Sequence, residues 1–191
     1  MRIAVLASGS GTILQAMIEA SIPIQLVVTD RQCTAETIAT HNNITLKRIE
    51  RNSYGKDFDR DTYTCEVRDA LIDHEIDLIA MAGFGTILNK PIYDGFSNRI
   101  LNTHPSLLPS FPGWHAVEEA LEYGVKVTGC TVHIATEEVD AGPILAQESI
   151  PVLKDDTKET LHERIKTVER QLYVDTINKI ITTNGQIERD Q

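Results

Sequence analysis

Cysteine is scarce in this chain of 191 residues, and the residue spacings typical of metal sites are missing. The three cysteines, Cys33, Cys65 and Cys130, are an odd number at scattered positions, with no CxxC pair. Disulfide frameworks and zinc sites both need paired or closely spaced thiols. The sequence also has no HExxH or similar ligand spacing. We therefore predict buried free thiols and no bound metal.

Long apolar runs and clusters of positive charge are missing as well. No apolar run approaches the roughly 20 residues that cross a bilayer, and the first residues lack the successive regions of a secretory signal. We therefore expect a cytoplasmic protein that does not associate with membranes. The formal net charge is −10, and no Lys/Arg cluster offsets it. Nucleic acid is thus disfavoured as a partner, whereas backbone donors could still hold a small anionic substrate.

Strand-like and helical patterns alternate through the first half of the chain. The strand-like runs lie at residues 2–7, 24–30, 44–49, 76–83 and 99–102, with amphipathic stretches such as 12–20 and 57–75 between them. The first and fourth runs are almost continuously apolar, which is typical of parallel strands covered on both faces. This pattern predicts an α/β fold with a doubly wound, mostly parallel sheet.

A different pattern follows residue 124. Two strand-like runs are joined by the turn signal Asp140-Ala141-Gly142-Pro143, which predicts an antiparallel hairpin at the edge of the sheet. Residues 156–181 then repeat apolar positions at helical spacing and predict one long amphipathic helix, with Asp156 or Thr157 as its N-cap. The length suits a single domain, residues 1–191, which we expect to be a monomer or a homodimer.

The stretch ASGSGT, residues 7–12, joins the first predicted strand to the first predicted helix. At this place a doubly wound sheet offers free backbone N–H groups and a helix dipole to an anion. The third glycine of a dinucleotide fingerprint and the lysine of a P-loop are both missing, so a dinucleotide or triphosphate is disfavoured. These residues alone leave two alternatives, a site for one phosphate group or a turn that is glycine-rich for steric reasons.

The stretch LNTHPSLLPSFPG, residues 101–113, places polar groups just after a predicted strand. Asn102 and His104 are two positions apart, so extended backbone projects both side chains to the same side. An amide N–H and a protonated imidazole can both donate to an oxyanion that develops during acyl transfer. The alternative is a structural histidine followed by a loop that its prolines stiffen.

Further polar residues follow later in the chain, and Asp140 has two interpretations. Asp140 is either a turn residue or a carboxylate that keeps an imidazole charged and relays a proton. Alternation along a strand places Thr131 and His133 on the same face. Lys166 and Glu169 are three apart on the predicted helix, on a face away from its apolar stripe, and their spacing alone predicts a solvated ion pair.

Taken together, these segments make the chain resemble the folate-dependent phosphoribosylglycinamide formyltransferases of purine synthesis. The resemblance covers nearly the whole chain, in matching order and spacing, and rests on VLASGSGTILQA, MAGFGTIL, ILNTHPSLLPSFPG, GVKVTGCTVHIATEEVDAGPILAQ and ERIKTVERQLY. It implies a formyltransferase-like variant of the Rossmann fold. It also implies transfer of the formyl group of 10-formyltetrahydrofolate, a cosubstrate, to the primary amine of glycinamide ribonucleotide, with no metal.

The resemblance also implies residue roles. Asn102 and His104 would bind the oxyanion, and Asp140 would support the imidazolium and help move a proton from the amine toward the folate N10. The ribonucleotide phosphate would lie at Gly11, Thr12 and Ile13, with Lys166 and Glu169. The folate would contact Arg60, Gly85, Thr86, Ile87, Leu88, Thr136 and Glu137, together with Asn102 and Asp140, while Thr131 and His133 line the same cleft. Residues 1–100 would form a nucleotide-phosphate-binding half, and residues 101–185 a catalytic and folate-binding half.

Two departures from the family pattern and three alternatives complete the sequence reading. Many members have Asn at the position of Ile13, and its absence removes a donor worth about 1 kcal/mol. Met-Arg is common where this chain has Gly85-Thr86, which changes the packing around the folate segment. A formyltetrahydrofolate deformylase would use the same Asn, His and Asp but has an additional N-terminal domain. Methionyl-tRNA formyltransferase adds a tRNA-binding domain and basic surface, and the last alternative is a non-catalytic nucleotide-binding module.

Overall fold

The computed structural model describes residues 1–183 and 185–187. Of the predicted domain 1–191, residues 184 and 188–191 therefore lie outside the described part. Within that part the strands are β1 Ile3–Ala7, β2 Ile24–Thr29, β3 Thr45–Arg48, β4 Leu78–Met81, β5 Ile100–His104, β6 Val127–Ile134 and β7 Ile144–Pro151. The helices are α1 Thr12–Glu19, α2 Thr34–His41, α3 Arg60–Asp73, α4 Lys90–Gly95, α5 Ala116–Tyr123 and α6 Lys158–Thr182.

The strands form one mostly parallel sheet, which confirms the predicted fold class. Their order is β3-β2-β1-β4-β5-β6-β7. β1 pairs in parallel with β2 and β4, β2 pairs in parallel with β3, and β6 pairs antiparallel with β7. The chain divides into two compact units, one comprising Met1–Leu101 and the other starting at Asn102, so β5 begins in the first and ends in the second.

In the first unit, β1 lies between β2 and β4, and every side chain of β1 is fully buried. Burial on both faces explains why its sequence is continuously apolar, and α1 contributes Leu14 and Met17 to this core. The chain order of the strands reverses between β1 and β4. In open α/β sheets, the crevice at the carboxyl ends of strands beside such a reversal is the usual place for ligands.

In the second unit, α5 and α6 pack on the β6–β7 hairpin around an apolar core of Val117, Cys130, Ile150, Leu161 and Ile165. The predicted antiparallel hairpin is confirmed.

Of the two predicted N-caps of α6, Thr157 is the one in the structure, and its hydroxyl accepts from the N–H of Thr160 in a capping box. Asp156 instead accepts from the N–H of Leu153 and pairs with Arg164. None of the described helices has the length and apolar character needed to cross a membrane.

Candidate active site

Polar side chains from three parts of the second unit meet at the carboxyl end of β5. Asp140, from the β6–β7 connection, places Oδ2 at 3.3 Å from Nδ1 of His104 and Oδ1 at 3.6 Å from Nε2 of His133. Nδ2 of Asn102 lies 3.2 Å from the same Nε2 of His133. The structure thus brings the sequence-predicted Asn102, His104 and Asp140 together, and His133 joins them.

The Asp140 carboxylate is nearly buried, with 6% of its side chain exposed. Burial by itself would raise the pKa of Asp140, but the contact from His133, the Gly113 N–H bond of 2.8 Å and the positive character of both imidazoles lower it below its ordinary value. Asp140 also has a φ of 55°, a left-handed conformation that Asp and Asn tolerate better than most residues. The group is therefore a carboxylate at neutral pH, held in place by backbone and side-chain donors.

His104 fits this site best as an imidazolium. Its Nε2 lies 2.8 Å from the carbonyl oxygen of Phe111, and a carbonyl only accepts, so Nε2 carries a hydrogen. Nδ1 faces the Asp140 carboxylate, which also only accepts, so this contact is favourable when Nδ1 is protonated too. The residue is 4% exposed, and the paired charge replaces the solvation that burial removes.

His133 contacts three groups. Its Nδ1 lies 3.0 Å from the carbonyl oxygen of Ile134 and donates to it, while its Nε2 lies 3.2 Å from Nδ2 of Asn102 and 3.6 Å from Oδ1 of Asp140. The contact with His133 orients the side chain of Asn102.

Thr131 supports the loop that follows His104. Its fully buried hydroxyl donates to the carbonyl of Ser106 at 2.7 Å and accepts from the N–H of Leu108 at 3.0 Å. The Nε2 of Gln147 on β7 donates to that hydroxyl and to the carbonyl of Leu108, both at 2.9 Å. Sequence reasoning missed Gln147, because a polar residue on an edge strand carries no signal of a partner 39 positions earlier.

The β1–α1 turn in the first unit presents the start of α1. Gly11 caps the helix with a φ of 70°, and a Cβ added there would lie 2.9 Å from the Cδ1 of Ile38 and 3.0 Å from the Cα of Ala35. Only glycine satisfies both conditions. Thr12 is exposed, whereas Ile13 is buried in the core, so this turn offers backbone N–H donors rather than a side-chain donor from residue 13.

The segment after β4 explains the Gly85-Thr86 departure within the first unit. Thr86 is buried and donates its hydroxyl to Oδ2 of Asp30 at 2.8 Å, while the N–H of Gly85 donates to Oγ of Ser8 at 2.6 Å. Asp30 in turn binds Nε and Nη2 of Arg31, each at 3.0 Å. A Cβ on Gly85 would lie 2.6 Å from that Nη2, so the glycine leaves room for Arg31.

The remaining predicted contacts lie as follows. Ile87 is 36% exposed and Leu88 is buried, while Arg60 is exposed at the first position of α3. In the second unit, the hydroxyl of Thr136 donates to the carbonyl of Glu138 at 2.9 Å, and Glu137 is exposed. Among residues 1–183 and 185–187, no group of three or more His, Cys, Asp and Glu side chains could hold a metal ion.

The predicted solvated ion pair between Lys166 and Glu169 is wrong. Nζ of Lys166 pairs with Glu163 at 2.7 Å, whereas Glu169 is only 8% exposed and accepts from the hydroxyl of Thr103 at 2.9 Å. Burial raises the pKa of Glu169, although the Thr103 bond and nearby positive charges oppose the shift. Helical spacing failed here because α6 turns Glu169 toward β5, on the strand face opposite to Asn102.

The cluster of amide, imidazole and carboxylate contains the hydrogen-bond donors and the proton acceptor that acyl-transfer chemistry uses. Residues 1–177 match the formyl transferase family model, and the chain belongs to that family, which makes it a transferase. The resemblance drawn from the sequence motifs is thereby confirmed.

Several proteins within this family are similar to the chain over most of its length. Phosphoribosylglycinamide formyltransferase of Mycobacterium tuberculosis is 43% identical over 186 residues, covering 95% of this chain and 85% of that protein. The human trifunctional purine biosynthetic protein adenosine-3 is 38% identical over 97% of this chain, which corresponds to 19% of the human protein. The crystal structure of phosphoribosylglycinamide formyltransferase from Bacillus halodurans matches with a TM-score of 0.88 and 34% identity over the full length of both chains. The crystal structure of glycinamide ribonucleotide transformylase 1 from Symbiobacterium toebii matches with a TM-score of 0.85 and 40% sequence identity. This match covers 92% of this chain and 84% of that one.

Proposed function

We propose that this chain transfers the formyl group of 10-formyltetrahydrofolate to the primary amine of glycinamide ribonucleotide, a step of de novo purine biosynthesis. The observation that carries the proposal is the contact of an ionised Asp140 with His104, at 3.3 Å, beside Asn102. The names of the similar proteins support the choice of substrates.

The chain's own residues would stabilise charge and move one proton. The folate, when bound, supplies the formyl carbon. Asn102 and the imidazolium of His104 donate hydrogen bonds to the negative charge that develops on the formyl oxygen as the amine attacks. In the structure, Nε2 of His104 donates a hydrogen bond to the carbonyl of Phe111. The developing oxyanion would compete well for this N–H donor, because hydrogen bonds to a charged acceptor are stronger than those to a neutral one.

Asp140 would have two tasks in this mechanism. Its negative charge keeps His104 protonated, and its carboxylate helps move the proton lost by the amine to the folate nitrogen N10 through water. The new bond joins the amine nitrogen to the formyl carbon, and the bond between that carbon and N10 breaks. The lowered pKa of Asp140 keeps the carboxylate available at neutral pH.

Substrate contacts are part of the same proposal. The backbone N–H groups of Gly11, Thr12 and Ile13 are suited to a phosphate, because a helix N-terminus leaves them unpaired. The backbone of Gly85–Leu88 is suited to polar edges of a pterin. For Arg60, Thr136, Glu137, Lys166 and Glu169, the substrate-binding roles implied by the family stay predictions.

A steady-state assay with purified protein tests the proposal. Tetrahydrofolate should be released from 10-formyltetrahydrofolate only when glycinamide ribonucleotide is present, and the formylated ribonucleotide should form in equal amount. Release without the amine would instead indicate a hydrolytic deformylase. No release in either condition would indicate a non-catalytic nucleotide-binding module and would contradict the proposal.

A further inference from the structure

One side chain of β7, Gln147, connects the edge of the sheet to the loop that follows His104. Gln147 lies directly opposite Thr131 in the antiparallel pairing of β6 and β7. Residues opposite each other on paired strands project to the same face, so their side chains can meet. Nε2 of Gln147 donates to the hydroxyl of Thr131 and to the carbonyl of Leu108, both at 2.9 Å. A single amide thus contacts both the sheet and the loop.

The bond from Gln147 completes the hydrogen bonding of the Thr131 hydroxyl. This hydroxyl donates its one hydrogen to the carbonyl of Ser106 at 2.7 Å and accepts from the N–H of Leu108 at 3.0 Å. A hydroxyl has one hydrogen and two lone pairs, so the Gln147 amide occupies the last lone pair. The hydrogen then remains directed at Ser106. Both Thr131 and Ser106 are fully buried, so water cannot replace these bonds.

From Ser106 the loop continues to the carbonyl that contacts His104. The hydroxyl of Ser106 donates to the carbonyl of Ser110 at 2.5 Å. The next residue, Phe111, accepts from Nε2 of His104 at 2.8 Å. Phe111 has a φ of 53°, a left-handed conformation that a bulky residue keeps only where its surroundings enforce it. The bonds on Ser106 and Ser110 supply that constraint from the preceding side of the loop.

We propose that Gln147 is a positioning residue for the chemical step of formyl transfer. It acts through Thr131 and the loop of residues 106–111. This loop holds the carbonyl of Phe111, and that carbonyl orients the ring of His104 before the oxyanion develops. Donors that are oriented in advance stabilise a developing charge without reorganising during the reaction.

This inference rests on the proposed function, which gives His104 its role toward the oxyanion. The proposed function assigns Gln147 itself no contact with a substrate or with the reacting atoms. Loss of the Gln147 amide should therefore change the rate of the chemical step rather than the binding of substrates. Residue 147 is exposed, so its substitution leaves no buried cavity and the variants should fold.

Steady-state kinetics of the full chain separates positioning from binding. Gln147→Met keeps the length of the side chain without its donors, and we expect it to lower kcat about 10- to 100-fold with KM changed less than about threefold. Gln147→Glu keeps the shape of the side chain but has no amide hydrogens, and it should lose as much. Gln147→His presents an Nε2–H at the same number of bonds from the backbone and should recover most of the loss.

The matched control is Gln171→Met on α6. Nε2 of Gln171 also donates a side-chain hydrogen bond, to Oδ1 of Asp175 at 2.8 Å, and both residues are exposed on the same helix. This variant therefore undergoes the same substitution and loses an amide bond that ends within its own helix. It should keep the kcat of the original chain.

Nuclear magnetic resonance tests the positioning without turnover. The Nε2 proton of His104 is bonded to a carbonyl at a buried position, so it should give a low-field resonance that exchanges slowly with water. Loss of this signal in His104→Asn assigns it in ¹⁵N-labelled protein. We expect the resonance to shift or to broaden by exchange in Gln147→Met and Gln147→Glu, and to stay unchanged in Gln171→Met.

Three outcomes would overturn the inference alone, provided that circular dichroism shows folded variants. The first is a near-normal kcat together with an unchanged His104 resonance in Gln147→Met. The second is a loss of activity that consists mainly of a raised KM, which would make Gln147 a substrate-binding residue. The third is a lower melting temperature with an unchanged kcat per folded molecule, which would make its role structural only.

A variant that fails to fold does not prevent the test. If Gln147→Met is unfolded, the comparison of Gln147→Glu with Gln147→His decides, and equal kcat values for these two variants would contradict the inference. Failure of the proposed function has a different signature. The original chain would then transfer no formyl group, while the His104 resonance would still depend on Gln147.

Discussion

At the scale of single residues, the charge of Asp140 decides what His104 can do. Both nitrogens of His104 face groups that only accept hydrogen bonds, the Phe111 carbonyl and the Asp140 carboxylate. An imidazolium satisfies both, and it does so only while Asp140 is ionised. Removing that charge therefore removes the reason for His104 to be a cation.

Asp140→Asn should lower kcat by about 10²- to 10⁴-fold, the range typical of a lost general acid–base group. Asn accepts the left-handed conformation at this position, so the fold should be kept. Steady-state kinetics with both substrates measures the change, and Asp175→Asn, which alters an exposed carboxylate on α6, is the matched control. A kcat near normal in a folded Asp140→Asn protein would contradict the role assigned to Asp140.

Burial shifts the pKa of Glu169 upward, opposite in direction to the shift of Asp140. Its pKa is raised in the folded protein, so the folded state binds more protons than the unfolded chain above the ordinary pKa of a glutamate. Stability contributed by this group therefore falls as pH rises through the raised pKa. Glu169→Gln removes this loss and still accepts from Thr103.

We expect the melting temperature of Glu169→Gln to exceed that of the original chain by a margin that grows as pH rises from about 4.5. For each gain of about 1 kcal/mol in the free energy of unfolding, the difference in melting temperature should be about 2–4 °C. Thermal melts at several pH values measure this difference. Glu163→Gln, at the exposed partner of Lys166, should show no such trend. A Glu169→Gln protein that is less stable at neutral pH than at pH 4.5, relative to the original chain, would show that the carboxylate is stabilising.

Residue types and spacing predicted Asn102, His104 and Asp140 as candidates, but not the bonds that orient them. Those bonds come from the carbonyl of Phe111 and the N–H of Gly113, and backbone groups leave no mark in a sequence. The buried position of Glu169 was missed for a related reason. Helical spacing reports which residues share a face, whereas the strand packed against that face is set by tertiary structure.

At the scale of elements, local sequence patterns were sufficient to predict most of the strands and helices. The continuous apolar run of β1, the turn signal between β6 and β7, and the cap at Thr157 all correspond to elements of the structure. Their common feature is that each depends on residues close together in the chain. The order of the strands depends on distant pairing, so the sequence supported only its doubly wound class.

The close pairing of β6 and β7 requires glycine at position 129. A Cβ on Gly129 would lie 2.0 Å from the carbonyl oxygen of Glu148 on the paired strand and 2.9 Å from Cδ2 of Leu107. The carbonyl is backbone and cannot move without breaking the ladder. We expect Gly129→Ala to destabilise the protein by about 1–3 kcal/mol, as over-packing does.

Urea denaturation measures this loss of stability, with a less crowded glycine as the control. Gly95 at the end of α4 has Arg68 as its nearest neighbour, at an ordinary 3.5 Å, so Gly95→Ala should change stability by less than about 1 kcal/mol. Equal effects of the two substitutions would mean that the β6–β7 pair tolerates a wider spacing than the structure has.

At the scale of the whole molecule, carboxylates in both units are stabilised as ions. The pKa of Asp30 is lowered, because its bonds from Arg31, Ser8 and Thr86 outweigh the effect of burial. Asp140 has a lowered pKa on the same principle, and Asp156 has one through its pairing with Arg164. Each such group stabilises the fold above its ordinary pKa, and this stability is lost as pH falls through the lowered folded value. Because these groups lie in both units, acid should weaken the two units together.

We therefore expect the melting temperature to fall steeply below about pH 4, where unfolded aspartates begin to bind protons that the folded ones reject. Asp30→Asn should lose about 1.5–3 kcal/mol at pH 7, since three donors lose a charged acceptor, and its melting temperature should then fall less steeply with acid. Asp73→Asn, at an exposed position of α3, should follow the original chain. A melting temperature that stays constant down to pH 3 would mean that these carboxylates titrate alike in both states. The bonds around Asp30 would then contribute no net stability as an ionic network.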